Sequence, residues 1–488
     1  MAYDDLGDFL SRLEDDRELV RIAAEVDPVH ELAEITARIA RAPDGGPAVL
    51  FESVAGSEFP VVANLLGCPA RLCRLMNAAS FDEVAERLAA RLKPDVSGSW
   101  LDALKMVPQL GRMASAPPRL VKTGACQQVV EMGRDVDLRR LPVPHAWPGE
   151  SARTITAGQV VTRDPETGGR DVALTPLALR DERSLHVHWD VQQDGWRNFE
   201  AHRRGGQQMP VAVALGGDPL LVFAAHAPLP PGADACLLAG LLREKPVELV
   251  RCRTAELEVP AAAEIVIEGY VDPAAGLERA GPIAAATGFH SLPEEVPVMH
   301  VTAVTRRANP VFPALIRARP PSEEHCLERL AARCLRPFVR MLVPEVVDLH
   351  FPPAGAGRNL LFVSVRKRYP HQARKVMNAV WALDALSAAK IVVVVDADAD
   401  VSDEEEVWFR VGAHAHPGRD VAFWQGATHM ADHAAPIRGL GHKLGIDATR
   451  KLADEGHSRP WPEELRMSEE VRDRVHRRWG EFGLRVEG

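Results

Sequence analysis

A three-part α/β fold with a β-rich middle is what the sequence predicts, and three observations predict it. Amphipathic helical stretches alternate with short apolar runs over the first hundred residues. From about 120 to 320 the texture changes to short β-rich runs broken by Gly, Pro and Asp, and from 322 the alternation of helix and apolar strand returns. A chain of 488 residues holds two to four domains at roughly 100–200 residues each. The shifts in texture place them at 1–115, 116–321 and 322–488.

The elements follow in order. Residues 4–23 and 27–42 carry apolar positions at three- and four-residue spacing and are expected to be helices, the second capped at Asp27-Pro28. AVLFESV (48–54) and FPVVANLL (59–66) are expected strands, FDEVAERLAARL (81–92) is an amphipathic helix, and Ala116-Pro117-Pro118 marks a linker. ITAGQVVTRDP, SLHVHWDV, MPVAVALGG, PLLVFAAH, VELVRC, EIVIEGYV and VMHVTAVTRR are expected strands of a sheet-rich barrel or sandwich, with one helical stretch near 232–243. In the last part SEEHCLERLAARCLRPFVRML is helical, NLLFVSVRKR a strand, HQARKVMNAVWALDAL a helix and KIVVVVDAD a fully apolar strand suited to a parallel sheet. The tail, 467–484, is a charged helix with a thin apolar stripe, and no repeat or low-complexity tract interrupts the chain.

Composition excludes several functions. With 58 Lys+Arg against 68 Asp+Glu, the net charge of −10 offers no basic field for a phosphate backbone, so nucleic acid is not an expected partner. No window approaches 18 consecutive apolar residues and the start, MAYDDLGDFLSRLEDD, is acidic, so neither a membrane span nor a secretory leader is expected. The seven cysteines are scattered without a C-x-x-C pair, which suits a reducing cytoplasm and argues against a disulfide framework or a Cys-based zinc site.

Several words are more specific. TAGQVVTRDPETG (156–168), PVAVALGGDP (210–219), LAGLLREKPVELVRC (238–252), EVPAAAEIVIEGYVDP (258–273), RARPPSEE (317–324), VRKRYPHQARKVMNAVW (365–381), KIVVVVDADAD (390–400) and GLGHKLGIDATRK (439–451) resemble, in order, the UbiD family of reversible decarboxylases. The resemblance implies an N-terminal α/β domain, a central split β-barrel like a flavin-binding fold, and a C-terminal α/β domain with a terminal helix that helps build homodimers or homohexamers. It also implies prenylated FMN, held through its phosphate by a divalent metal such as Mn and by potassium, and a substrate that is an aromatic or α,β-unsaturated acid. A carboxylate on an sp² carbon leaves only when its electrons have a sink, which the modified flavin provides. A proton must then be returned, and the family uses a Glu poised by an Arg and a second Glu.

This chain departs from that pattern at the reactive positions. After DPETG the family's Arg-Asn-x-Gly-x-Tyr-Arg reads Arg170-Asp171-Val172-Ala173-Leu174-Thr175-Pro176, so Pro176 replaces the Arg of the trio. Glu-Gly-Pro-x-Gly-Glu/Asp becomes Ala280-Gly281-Pro282-Ile283-Ala284-Ala285, so both acids are alanine. Among the implied metal ligands Gln192 replaces His, Ala235 replaces Glu, and Asp171, in place of Asn, is the one candidate ligand left. Thr156, the Ala225-His226-Ala227-Pro228 loop and Lys390 match positions that contact the flavin or its phosphate. Each also has an ordinary explanation: a β-branched strand residue, a satisfied turn histidine, and an exposed charge before a strand.

Three functions remain open. The first is a UbiD-like carboxy-lyase with a non-standard acid–base arrangement, for which His290 and Glu278 are the replacement candidates. The second is a reused scaffold with metal-independent chemistry on a more apolar ligand, since Pro and two Ala in place of Arg and two Glu leave a pocket poorer in charge; His186, His188, His226 and His290 are candidates to converge there. The third is a degenerate subunit that retains assembly with a UbiD-like partner.

Overall fold

The computed structural model describes residues 3, 5–92, 117–230, 232–465 and 467–482, and the expected linker residue Ala116 lies outside them. The first expected helix is two elements. Helix Leu6–Asp15, capped by the Asp5 carboxylate, gives way to strand Leu19–Val26 because Arg17 adopts a left-handed φ of 60° that breaks the helical path. The next helix is Glu31–Ala40, and Asp27-Pro28 does not cap it: the Asp27 carboxylate accepts from the Val29 amide at 2.8 Å and His30 stands at the cap. The 59–66 run contributes a shorter strand, Val61–Ala63, whereas strand Ala48–Val54 and helix Phe81–Leu92 form as expected.

Four strands build the N-terminal sheet in the order Leu19–Val26, Ala48–Val54, Val61–Ala63, Phe312–Ala314. The last comes from far along the chain and pairs in parallel with Val61–Ala63, tying the end of the middle part to the beginning. The middle holds a nine-stranded, curled half-barrel sheet that runs largely antiparallel through Gln159–Arg163, Met209–Leu215, Ile265–Val271 and Val298–Arg306. PLLVFAAH is not a strand: Asp218 caps it by accepting from Leu220 N at 3.0 Å, Pro219 occupies the first turn, and residues Pro219–His226 form a buried helix. Helix Asp194–Gly205 stands where the sequence predicts no helix, while Ala235–Arg243 forms near the expected position.

The C-terminal sheet orders Val346–His350, Leu360–Val365, Ile391–Asp396, Leu440–Asp447 and Val421–Ala427, with the three central strands parallel. The Val- and Leu-rich sequences of Leu360–Val365 and Ile391–Asp396 are buried on both faces, as parallel strands under helices must be, whereas Leu440–Asp447 alternates buried and more open positions. The 20-residue helix Glu323–Leu342 joins the parts: its Leu327 and Leu330 share one core with Leu72, Val84, Phe223 and Leu249. The tail forms an exposed helix, Glu469–Arg477, within the expected span. Among the described residues no helix is long and apolar enough to cross a membrane.

Candidate active site

A cavity of about 500 Å³ opens between the curled sheet and the C-terminal part. Part of its lining is apolar, built by Leu174, Pro176, Trp189, Leu229 and the Ile283–Ala286 stretch. That stretch belongs to a loop closed by the hairpin Glu278–Ala280 with Glu294–Val296, in which Ala280 pairs with Glu294. Glu150 fixes the loop by accepting from Ala284 N at 2.9 Å. At its far end Gly288 turns with φ +80°, and a Cβ there would meet Arg319 Cα at 2.6 Å, so only glycine lets the loop approach this segment so closely.

The same lining is rich in charge, contrary to the expectation of a pocket poor in it. Arg317, Glu324, Glu328, Arg358 and Arg438 all contribute to it. Ser322 caps helix Glu323–Leu342, and Glu324 and Glu328, four residues apart, lie on one face. Arg317 donates to Glu324 Oε1 at 3.0 Å and Arg358 Nε stands 3.5 Å from Glu328 Oε1. The two buried carboxyls are pushed in opposite directions. Burial raises Glu324 against the pull of Arg317. Burial would also raise Glu328, but the His325 ring and Arg358 outweigh it and hold that carboxyl below the ordinary range. Neighbouring Glu323 is pushed up to about 7 by burial and is spent on structure, accepting from Leu66 N at 2.6 Å.

Three histidines, His188, His226 and His429, also line the cavity. His188 is buried, with Nδ1 2.8 Å from Glu294 Oε1; burial first, then Arg317 and Arg438, lower its pKa to about 4. Burial and Arg358 lower His226 to about 3, and burial also lowers His429, whose Nδ1 accepts from Ala431 N at 3.0 Å. Several polar atoms of the lining residues are buried without a partner: Arg317 Nε, Glu324 Oε2, His188 Nε2 and Asp432 Oδ2.

The sequence candidates divide. His226, Pro228, Asp171 and His290 line the cavity, His290 with an exposed ring. Glu278 does not: it lies on the exposed face, 3.2 Å from His186 and 2.9 Å from Arg180, and the hydrogen bond from His186 holds its carboxyl below the ordinary range. His186 is therefore spent outside the cavity, and the histidine set expected to converge loses that member. Thr156 donates to the Leu315 carbonyl at 2.5 Å and does not line the cavity. Lys390 reaches the cavity through its partner, binding Asp432 Oδ1 at 2.7 Å.

The donor set does not fit the implied divalent metal. Burial, then Asp194, raise Asp171 to about 7, its carboxylate accepts a long hydrogen bond from the Thr162 hydroxyl at 3.4 Å, Gln192 is a weak neutral ligand, and Ala235 offers no donor. Among the described residues no three His, Cys, Asp or Glu side chains cluster as a metal site. A flavin fits better: the volume of about 500 Å³ lies within the roughly 300–1,000 Å³ usual for ligand sites, and the lining combines apolar residues with buried, unpartnered polar atoms.

With the fold and cavity established, comparison with known proteins agrees along the whole chain. Residues 10–92, 119–320 and 326–448 match the N-terminal, Rift-related and C-terminal domains of the 3-octaprenyl-4-hydroxybenzoate carboxy-lyase family, UbiD. The chain belongs to the UbiD family. An uncharacterized protein of Aquifex aeolicus (strain VF5) is 41% identical over 482 residues, 99% of each chain. The UbiD-class enzyme HmfF from Pelotomaculum thermopropionicum, solved with FMN, is 31% identical with a TM-score of 0.80, over 96% of this chain and 98% of that one. An evolved dimeric form of HmfF was solved with prFMN, at 30% identity and a TM-score of 0.77, over 95% and 97% of the two chains. Vanillic acid decarboxylase from Sedimentibacter hydroxybenzoicus shares the fold, with a TM-score of 0.87 at 24% identity over 99% of this chain and 100% of that one.

Proposed function

We propose that the protein is a UbiD-type carboxy-lyase acting on an aromatic or α,β-unsaturated carboxylic acid, with a bound prenylated FMN and an acid–base arrangement unlike the family's. The observation that carries this reading is the mixed lining of the cavity: Leu174, Pro176, Trp189, Leu229 and Ile283–Ala286 offer apolar surface suited to a planar ligand, and paired Arg and Glu with buried, unpartnered polar atoms line the same space. When bound, the modified flavin supplies the electron sink. The bend at Ala225–Leu229, with His226 and Pro228, Trp189 and the Lys390–Asp432 pair are the groups that would hold it. Arg317 and Arg358 would orient an acid, and the apolar surface would keep water from the reacting carbon.

The metal plays no part in this reading, because its donors are missing. A neutral, apolar ligand on a reused scaffold has less support, since it would leave Arg317 Nε and His188 Nε2 buried and unsatisfied. Assembly as a homodimer or homohexamer is supported by Phe423, 73% exposed on the edge strand Val421–Ala427, and by Ile437 and Leu440 beside it.

The test is purification of the full chain from cells that also express a flavin prenyltransferase, followed by mass analysis of the bound small molecules and CO₂ release from a panel of benzoic, cinnamic and furoic acids. Bound prenylated FMN and release of CO₂ from at least one acid are expected. A flavin-free protein that releases none contradicts the reading, and recovery only in complex with a second UbiD-like chain supports a degenerate subunit instead.

A further inference from the structure

The positions at which this chain lost the family's ionisable groups have cross-strand neighbours that carry ionisable groups. Ala280 is paired with Glu294 across the antiparallel hairpin, and directly opposed residues share one face with Cβ atoms about 4.5–5.5 Å apart. Pro176 precedes strand Leu177–Asp181, whose Leu177 pairs with Val187 of strand Ser184–Val187. The next residue, His188, donates its amide to the Pro176 carbonyl at 3.0 Å. The two neighbours meet: His188 Nδ1 lies 2.8 Å from Glu294 Oε1, and Arg438 closes on Glu294 Oε2. His188 Nε2 is buried, lacks a partner, and belongs to a ring on the cavity wall.

We propose that proton handling lost at Pro176 and Ala280 has been rebuilt one strand across as a relay, Arg438–Glu294–His188, in which His188 Nε2 returns the proton to the carbon that loses CO₂. This rests on the carboxy-lyase reading. Glu294 accepts the Nδ1 hydrogen and so fixes the tautomer that leaves a lone pair on Nε2. The groups facing the ring are Glu294 from its hairpin strand, Arg438 from the 429–438 loop and Arg317 from the segment before helix Glu323–Leu342. The free protein therefore holds a neutral ring at pH 7. An anionic carboxylate entering the cavity adds the missing negative charge and draws one proton from solvent onto Nε2. In the reaction the bond to the carboxylate breaks, CO₂ leaves, the electron pair stays with the substrate carbon and its flavin sink, and the Nε2 proton moves to that carbon. The ring is neutral again, and the sum is acid anion plus one proton giving CO₂ and the protonated product.

The test uses benzoate and cinnamate as probes, titrated calorimetrically into the full chain, with its flavin, at pH 7 in two buffers of different ionisation enthalpy. Uptake of about one proton per bound acid is expected, falling below about 0.3 in His188→Asn and in Glu294→Gln while binding persists. Binding by the unmodified protein without proton uptake overturns the relay and leaves the carboxy-lyase reading standing, as does undiminished uptake in His188→Asn. Failure of both acids to bind contradicts the carboxylate reading of the cavity itself. Should one variant fail to fold, the other decides the question, because Asp171, pushed up to about 7, lines the same cavity and uptake by the unmodified protein alone does not assign the proton to His188.

Discussion

Replacing Arg317 by Met should destabilise the protein by an amount that grows with pH. Arg317 and Glu324 form a pair at 3.0 Å whose side chains are 16% and 8% exposed. Removing one partner of a buried pair costs about 3–5 kcal/mol while the survivor stays charged. Glu324 can relieve its charge, because burial already raises its pKa above 4.5 and loss of the guanidinium raises it further. Once protonated, it has lost only a hydrogen bond, worth about 1 kcal/mol. Between the unfolded value of 4.5 and the raised folded value the native state holds the extra proton, so stability falls as pH rises, by up to about 1.4 kcal/mol per unit. For 488 residues unfolding cooperatively, an entropy near 2.1 cal/mol/K per residue gives about 1 kcal/mol per degree. Scanning calorimetry at fixed protein concentration should therefore show Tm lowered by about 1 °C at pH 5.5 and about 3–5 °C at pH 8. Equal losses at both pH values, or the larger loss at pH 5.5, would refute the reasoning.

Other outcomes follow from the same structure. Metal analysis of the purified protein should find less than about 0.1 Mn per chain, rising toward one in Asp171→Asn/Gln192→His/Ala235→Glu, which restores the donor types the metal needs. Glu278→Gln should leave bound flavin and Tm unchanged, since the carboxylate is exposed and its partners Arg180 and His186 lie outside the cavity; loss of flavin would return Glu278 to the site. Gly288→Ala should destabilise by about 1–3 kcal/mol in a denaturation titration, because a side chain at φ +80° meets the Arg319 backbone. Lys367→Met should cost about 3–5 kcal/mol, leaving the carboxylate of Glu455 buried without its ammonium, the two side chains being 4% and 2% exposed.

The parts of the fold that sequence words carried were legible, and so were two strands of the C-terminal sheet, Leu360–Val365 and Ile391–Asp396, where Val and Leu runs have no other use; the other three strands of that sheet and its order were not. Two misreadings have local causes. Leu19, Val20 and Ile22 continue the helical spacing of Leu6–Asp15, and nothing in composition announces the left-handed Arg17 that ends the helix. PLLVFAAH is apolar throughout and so has no period, although Asp218-Pro219 ahead of it is a helix-start signal. In the site, the losses at Pro176, Ala280 and Ala285 were visible, but what surrounds them was not. Glu324 and Glu328 at i and i+4 on one helix face could have been noticed. Arg317, Arg358, Arg438, Glu294 and His429 come from separate segments, and their convergence depends on tertiary packing. Glu294 opposite Ala280 requires the hairpin register, which a 13-residue loop between the paired positions leaves open to the eye.

The most direct test is an experimental structure of the protein purified with prenylated FMN. The expected result is a flavin seated in the cavity between Ile283–Ala286 and helix Glu323–Leu342, with His188, Arg317 and Glu324 facing the space beside the ring and no divalent cation at Asp171. A flavin bound elsewhere, a cation held by Asp171 and Gln192, or those charged side chains sealed away from the ring would contradict it.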